Sequence, residues 1–326
     1  MTDYKTIKIL VAGTLNPDTF ETLREIFDVR HLPSRNIGDL PEGERPSIRG
    51  IAGFNSAPAN LMDALPNLEI VANFGVGYDG VDSGHAASKG IMVTNTPEVL
   101  TEEVADTALG LVLMTLRDFG RAEQYLRAGK WAKDGPFPLT QTTLRGRTAG
   151  IMGLGRIGLA IAKRLEAFGV TIAYHNRTKR DDVAYAYHDS LEGLAKAVDL
   201  LIIAAPGGAS TDKAVNAQVL KALGPDGVLI NIGRGTTVDE PALIEALGNG
   251  TIKAAGLDVF EKEPTVPQAL MDLPNAVLLP HVASASRHTR RMMGELMIEN
   301  LKLWFDGKDV ATPVPEVAST GLKRRA

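Results

Sequence analysis

The stretch Thr148-Ala149-Gly150-Ile151-Met152-Gly153-Leu154-Gly155-Arg156-Ile157-Gly158 joins a short apolar run to a glycine-punctuated turn, and then to an amphipathic run from Leu159 to Phe168. Read in order, it predicts a strand, a phosphate-binding loop and a helix. Gly153 permits the tight turn, Gly155 lets the backbone approach a pyrophosphate, and Gly158 lets helix and strand pack closely. The helix N-terminus then offers N–H groups and the positive end of its dipole to the anion. Such a triplet also occurs as plain turn punctuation, so context decides. Here Val170 to Tyr174 follows Gly169 as a second β-rich run at the distance a βαβ unit needs. The stretch therefore predicts a dinucleotide site, with the adenosine ribose read at the end of that second strand.

At that end stands Asn176-Arg177-Thr178-Lys179-Arg180. An NAD site commonly places an acid here, which bonds the ribose 2′-hydroxyl and repels a 2′-phosphate. Asn176 is neutral instead, Arg177 offers a planar fork suited to phosphate, and Thr178, Lys179 and Arg180 add a hydroxyl and further positive charge. The expected cofactor is NADP(H). The competing reading is a solvated charge cluster balanced by Asp181 and Asp182.

A chain of 326 residues with 44% hydrophobic content can build two domains with substantial cores. A net charge of −4 suggests no nucleic-acid surface, and Lys323-Arg324-Arg325 is short enough to be a solvated tail. The absence of cysteine excludes disulfides, thiolate metal sites and a cysteine nucleophile, and no metal centre is expected. Met1 to Lys8 carries no apolar signal region, and no apolar stretch reaches spanning length. A soluble, cytoplasmic protein is the expectation.

Upstream of the glycine loop, Ile7 to Val11, Ile51 to Phe54, Ile70 to Phe74 and Ile91 to Thr94 read as buried strands. Asp18 to Phe27, Ala59 to Leu65 and Asp82 to Lys89 supply helices between them, so the first hundred residues predict a parallel α/β unit of their own. A long apolar pattern then runs from Thr101 to Arg117, opened by a Thr cap and the acids Glu102 and Glu103, and predicts a crossing helix. Gly129 to Leu144, rich in Gly, Pro and Trp, reads as an excursion. With Trp131 and Phe137 exposed on it, this excursion is expected to be buried by a second subunit about a two-fold axis.

Downstream, Asp199 to Ala204, Val228 to Ile232, Ala254 to Leu257 and Val277 to Leu279 continue the α/β rhythm. Their C-terminal ends lead into Pro206-Gly207-Gly208, Gly233-Arg234-Gly235, Asp258 with Glu261 and Glu263, and Pro280-His281, the positions where ligands bind in open α/β sheets. A last helix, about Thr289 to Phe305, and the tail Thr312-Pro313-Val314-Pro315 are expected to pack back on the first unit. In the first unit, Gly75-Val76-Gly77 can present backbone N–H groups to a carboxylate, since glycine removes the Cβ that would block approach. A plain tight turn is the alternative there.

These pieces together resemble the D-2-hydroxyacid dehydrogenase family, in its glyoxylate/hydroxypyruvate reductase branch. The resemblance covers nearly the whole chain. It rests on Asn73-Phe74-Gly75-Val76-Gly77-Tyr78-Asp79, Asn95-Thr96-Pro97, Val104-Ala105-Asp106-Thr107, the glycine loop, Asn231 to Gly235, Gly256 to Pro264, and Leu279-Pro280-His281. Glu98 stands where many relatives have Gly, and Ala283 follows Val282 where the family more often shows Gly. The resemblance implies two doubly wound parallel-sheet α/β domains. A Rossmann-type nucleotide domain, residues 99–286, is inserted into a split flavodoxin-like substrate domain, residues 1–98 and 287–326, with a cleft between them in a homodimer. It also implies cofactor contacts from Thr107, Pro206, Thr211, Ile232, Gly233, Arg234, Asp258 and His281, besides Gly153 to Gly158 and Asn176 to Lys179. Phe54, Asn55, Leu100 and Ser284 border the substrate by the same resemblance. Of these, Asn55 and Ser284 offer neutral hydrogen bonds to a hydroxyl such as that of hydroxypyruvate.

Reducing a 2-oxo acid needs a hydride donor, a cation near carboxylate and carbonyl, and an acid to protonate the new alkoxide. Arg234 suits the second need, because its fixed guanidinium can orient both oxygens and stabilise growing charge. His281 suits the third, as the side chain whose unperturbed pKa lies near working pH. His31, His85, His175, His188 and His288 lack its combination of strand-end position and motif. A carboxylate beside His281 would hold its tautomer and favour its protonated form. From the residues alone Glu261 and Glu263 are equal candidates; the resemblance selects Glu263. Two other readings share this pattern: a formate dehydrogenase, which resembles a Gln-His pairing that Glu263 argues against, and a non-catalytic NAD(P)-sensing interaction protein, which retention of Arg234, Glu263 and His281 disfavours. A larger 2-oxo acid is also compatible as substrate.

Overall fold

A computed structural model describes residues 2–55 and 57–322. The basic run Lys323-Arg324-Arg325 lies outside the described residues. The chain divides into two compact units, one formed by residues up to Leu100 together with those from Ser286 on, the other by Thr101–Ala285.

The first unit begins with β1 (Lys8–Ala12), α1 (Pro17–Ile26), β2 (Asp28–Leu32), β3 (Ile48–Gly53), α2 (Ala59–Asp63), β4 (Ile70–Asn73), α3 (Ser83–Lys89) and β5 (Met92–Thr94). The strands form one parallel sheet in the order β2-β1-β3-β4-β5. That is the flavodoxin-like order, which results when successive right-handed crossovers run first one way and then the other from β1. The central strands read as near-continuous apolar runs because helices cover both faces. Ile9, Leu10 and Val11 of β1 and Ile70 of β4 are all essentially sealed from solvent.

The second unit starts with α4 (Thr101–Arg117), α5 (Phe119–Arg127) and α6 (Lys130–Asp134). It continues with β6 (Thr148–Met152), α7 (Arg156–Ala167), β7 (Thr171–His175), β8 (Ala186–Tyr187), α8 (Leu191–Lys196), β9 (Leu200–Ile203) and α9 (Ala217–Leu223). It closes with β10 (Val228–Asn231), α10 (Glu240–Gly248), β11 (Ala254–Leu257), α11 (Gln268–Met271) and β12 (Ala276–Leu278). All seven strands are parallel, in the order β12-β11-β10-β9-β6-β7-β8. The order reverses at β6, between β7 on one side and β9 on the other, which makes the end of β6 the switch point of a Rossmann-type sheet. α4 packs on α7 and on β10, β11 and β12, so it belongs to this unit from its first residue and sets the division at Leu100/Thr101.

After β12 the chain returns to the first unit as α12 (Arg287–Phe305) and α13 (Pro315–Ala318). α12 lies on β4 and α1 and buries Met293, Met297, Leu301, Trp304 and Phe305. The tail lines β5, where Val314 N–H donates to Val93 O at 3.0 Å and Thr312 Oγ1 donates to Asn95 O at 2.7 Å. Among the described residues, no helix is long and apolar enough to cross a membrane.

Three features differ from the expectations. β2 and β8 were not expected, because both are edge strands: Asp28-Val29-Arg30-His31-Leu32 buries fully only Leu32, and β8 is two residues long. α7 begins at Arg156, ahead of the apolar run from Leu159, since Arg156 and Gly158 in its first turn hide the period. Phe137 is half-buried rather than exposed, because its ring packs edge-on against Tyr125 with centroids 5.4 Å apart. Trp131 does stand out, 63% exposed, beside Leu126 at 56% and Leu139 at 90%.

Candidate active site

The three glycines of the loop have three distinct surroundings. Gly153 has φ +94°, and a Cβ there would come within 2.6 Å of the Ala205 amide nitrogen. A Cβ on Gly158 would sit 2.2 Å from Gly153 O, where helix meets strand. At Gly155 a Cβ would meet nothing within 4 Å, and this residue caps α7 with no side chain bonded to the helix N–H groups. An exposed backbone with free space above it, at a helix N-terminus, is the form a pyrophosphate site takes. The loop is fastened from β7: Asn176 Oδ1 accepts Leu154 N–H at 2.7 Å, and Arg180 Nη1 donates to Leu154 O at 2.8 Å.

The cations at the end of β7 split into two kinds. Arg180 donates to Asp182 from two guanidinium nitrogens, Nε and Nη2, and its backbone N–H donates to the Tyr174 hydroxyl oxygen, so it acts as a brace. Arg177, Thr178 and Lys179 are exposed. The charge-balancing reading of Asp181 and Asp182 thus applies to Arg180, while the neighbouring cations project into solvent where a ribose phosphate would arrive.

Ala205, after β9, is where the strand ends meet: a Cβ on Gly233 would lie 2.6 Å from its carbonyl oxygen. Pro206 O accepts the Thr211 hydroxyl at 2.8 Å, which folds that loop upon itself. Ile232 is buried below. Thr107, in α4, donates its hydroxyl to Ala283 O at 3.2 Å.

Arg234 follows β10 in extended conformation and is half-buried. Its backbone is held by Asn231, itself 1% exposed, whose Nδ2 donates to Arg234 O at 2.9 Å and whose Oδ1 accepts Gly233 N–H at 3.0 Å. The Thr237 hydroxyl donates to the same Arg234 carbonyl at 2.6 Å. Nη1 donates to Gly233 O at 2.7 Å, which turns the guanidinium back along its own loop.

His281 sits after β12 with φ +53°, a left-handed conformation that costs a non-glycine residue on the order of 1 kcal/mol or more. Asp258 holds it there. Its carbonyl accepts the His281 N–H at 2.9 Å, and its two carboxylate oxygens accept the N–H groups of Val282 and Ala283 at 2.8 and 2.9 Å. Burial raises the Asp258 carboxyl above the ordinary range, although those two amides and the charge of His281 pull the other way. The cofactor contact expected of Asp258 is thus set against a carboxylate that is fully buried and spent on the His281 loop.

The imidazole Nδ1 of His281 lies 2.7 Å from Glu263 Oε2, and Glu263 Oε1 accepts the Phe260 N–H at 3.0 Å. Glu263, and not Glu261, is the acid that meets this histidine. With Nδ1 on the carboxylate, Nε2 is the ring atom that can pass a proton outward. Three of the other histidines have ring partners elsewhere: His31 Nε2 bonds Gly13 O, His85 pairs with Asp63, and His175 Nδ1 bonds His188 O.

In the first unit, the Gly75-Val76-Gly77 loop is held by its carbonyls. Gly75 O takes Asn73 Nδ2 and the Thr96 N–H, Val76 O takes Asn95 Nδ2 at 2.9 Å, and Gly77 O takes Asn73 Nδ2 at 3.0 Å. Among the described residues, the N–H groups of Val76 and Gly77 have no partner. The loop is therefore a fixed pair of donors, the arrangement that binds a carboxylate. Asn55 has φ +52°; its N–H donates to Asn73 Oδ1 at 2.8 Å and its own Oδ1 accepts the Gly80 N–H. Its amide oxygen is thus a brace, leaving only Nδ2 of the neutral hydrogen bonds expected from it. Leu100 is buried, and Ser284, in the second unit, is half-buried.

The bracing roles of Asn73, Asn95, Asn231 and Asp258 were missed from sequence. For Asn73 and Asn231 the available signal was an Asn at a strand end two residues before a glycine, the position from which a short amide side chain caps its own turn; Asn95 and Asp258 carry no such signal.

The sheet order and the open glycine loop define a Rossmann-type dinucleotide-binding protein. The chain belongs to the D-isomer specific 2-hydroxyacid dehydrogenase family, whose NAD binding domain matches residues 109–283. It is 58% identical to an NADPH-dependent glyoxylate/hydroxypyruvate reductase of Sinorhizobium meliloti solved with NADP and malonate, with a TM-score of 0.95 over 98% of this chain and 99% of that one. It is 52% identical to a glyoxylate/hydroxypyruvate reductase of Arabidopsis thaliana over 86% of this chain and 90% of the relative. A 2-ketogluconate reductase of Gluconobacter oxydans is 40% identical over 94% of this chain and 98% of its own length.

Proposed function

We propose that this chain reduces small 2-oxo acids, glyoxylate and hydroxypyruvate foremost, to 2-hydroxy acids with NADPH. The observation that carries the reading is the Glu263–His281 pair at 2.7 Å, in a unit that also holds Arg234 and an open glycine loop. The names and coverage of the relatives support it.

The residues present fit the cofactor: space above Gly155, uncapped N–H groups of α7, and exposed Arg177, Thr178 and Lys179 without an acid at the ribose position. When bound, NADPH supplies the hydride. In this reading the second unit holds it, and the first forms the substrate unit. Val76 and Gly77 present their N–H groups to the substrate carboxylate, and Arg234 orients its oxygens and stabilises charge as it grows on the carbonyl oxygen. His281 gives that oxygen a proton from Nε2, while Glu263 fixes the tautomer and compensates the imidazolium charge. Leu100, Asn55 and Ser284 border the substrate. The 2-ketogluconate reductase among the relatives favours one further reading, a larger 2-oxo acid as substrate.

A cytoplasmic homodimer is part of the proposal. Ala122, Tyr125, Leu126, Trp131, Pro136 and Phe137 line an apolar groove, and its exposed Leu126 and Trp131 form the kind of patch a second subunit covers.

The test is NADPH oxidation on adding glyoxylate, hydroxypyruvate or 2-ketogluconate. Turnover with the two small acids is expected. Turnover with none, in protein that binds NADPH, would favour the non-catalytic sensor, and turnover with 2-ketogluconate alone would favour the larger substrate.

A further inference from the structure

Glu240 is a buried carboxylate that the proposed chemistry does not use. It is 8% exposed and occupies the first position of α10, one residue after Asp239, whose side chain caps that helix. Its Oε2 accepts the N–H of Glu261 at 3.3 Å. The preceding N–H, that of Phe260, is taken by Glu263 at 3.0 Å. Two successive amides of one turn are thus held by two carboxylates, one from within the turn and one from the element that follows Arg234.

That turn has no slack against the Arg234 loop. A Cβ on Gly235 would fall 1.9 Å from the carbonyl carbon and oxygen of Phe260 and 2.5 Å from the Glu261 nitrogen. The Phe260–Glu261 peptide therefore lies directly on the backbone next to Arg234. Between these surfaces the Glu240–Glu261 bond fixes lateral register, which packing against a glycine leaves loose. The same turn delivers Glu263 to His281 Nδ1 at 2.7 Å.

We infer that Glu240 is a positioning residue for the reduction: through the Glu261 N–H it locks the turn bearing Glu263 to the loop bearing Arg234, and so sets where the carboxylate meets His281. This rests on the function proposed above. A misplacement on the order of 1 Å in such a constellation costs about 100-fold in rate. Burial raises the Glu240 carboxyl above its ordinary range, with the Glu261 amide opposing and the charges of Glu261 and Lys262 acting in opposite senses. Asp239, Glu261, Lys262, Glu263 and Arg234 are the charged groups around it on these elements. What the strut requires is an acceptor of glutamate's length.

Three variants separate reach from charge. Glu240→Gln keeps length and acceptor but removes charge, Glu240→Asp keeps charge but shortens the arm, and Glu240→Ala removes both. With NADPH affinity held within about twofold, kcat/KM is expected to stay within about threefold of wild type in the Gln variant and to fall about 10- to 100-fold in the Asp and Ala variants. In the latter two the alkaline limb of the pH profile moves to lower pH, which loss of general stability would not produce. Wild-type behaviour of Glu240→Asp with loss in Glu240→Gln would overturn the strut in favour of charge. Unchanged rates and limbs in all three would overturn it outright. The ring ¹⁵N shifts of His281 in labelled, NADPH-bound protein provide a readout that needs no substrate: they are expected to match wild type in Glu240→Gln and to depart from it in Glu240→Asp. Matching shifts in both would refute the inference even if the reductase reading fails on its own assay.

Discussion

Glu263 Oε2 lies 2.7 Å from His281 Nδ1 while the other oxygen of the same carboxylate accepts the Phe260 amide, so both oxygens are committed within the site. Burial pushes this carboxyl up, but the hydrogen bond and charge of His281, the Phe260 amide and the charge of Arg234 outweigh burial and hold it below its ordinary value of 4.5. A depressed carboxyl contributes stability that is present above its unfolded-state pKa and is lost as pH falls through the folded one. Glu263→Gln lacks that contribution. The stability gap between wild type and variant, read from denaturant midpoints, is therefore expected to narrow as pH drops below 4.5. A gap that does not change with pH contradicts this.

Gly155 and Gly158 are expected to separate binding from folding. At Gly155 a new Cβ meets no protein atom, whereas at Gly158 it meets Gly153 O at 2.2 Å. Gly155→Ala should keep the wild-type Tm and lose NADPH affinity, and Gly158→Ala should lower Tm because helix and strand must part. Thermal melts with and without NADPH check both. A Gly155→Ala protein with full affinity would place the pyrophosphate elsewhere.

Arg177→Ala is expected to weaken NADPH far more than NADH, since Arg177 is exposed at the end of β7 and Arg180 is already taken by Asp182. A charge-assisted phosphate contact is worth roughly 1.5 to 3 kcal/mol, or about 10- to 100-fold in affinity. Equal losses for both cofactors, by fluorescence titration, would show that Arg177 does not read the 2′-phosphate.

Trp131→Asp is expected to break a dimer into monomers at micromolar concentration, because a charge placed on a 63% exposed indole beside Leu126 cannot be covered without desolvation. Light scattering of both proteins is the check. A wild-type monomer, or a variant that stays dimeric, assigns this face another role.

What the sequence makes legible follows from periodicity and spacing. The interior strands β1, β3, β4, β6, β9, β10 and β11 are buried on both faces, so their apolar runs stand out; Arg234 and His281 each lie three residues beyond a strand end, of β10 and β12. β2 and β8 are edges whose polar residues carry no such signal. From the residues alone Glu263 could not be told from Glu261, because what separates them is the path of the turn, which places one acid on His281 and gives the other's amide to Glu240. Arg180 and Arg177 are alike by composition, and only the position of Asp182 makes one a brace. The asparagine braces under Gly75 to Gly77 and Arg234 also depend on backbone conformation, which residue type alone does not report.

The role of the pair is tested most directly by kcat/KM for glyoxylate at saturating NADPH, measured from about pH 5 to 10 in wild type and Glu263→Gln at fixed ionic strength. In the proposed reaction the proton comes from the imidazolium of His281, so the rate is expected to fall where that proton is lost. Glutamine keeps an acceptor of the same size without the charge. With that charge gone, the alkaline limb is predicted to move to lower pH in the variant. A limb that stays in place or moves to higher pH, in a folded variant that binds NADPH, would contradict the assignment of Glu263 and His281 as the proton-donating pair.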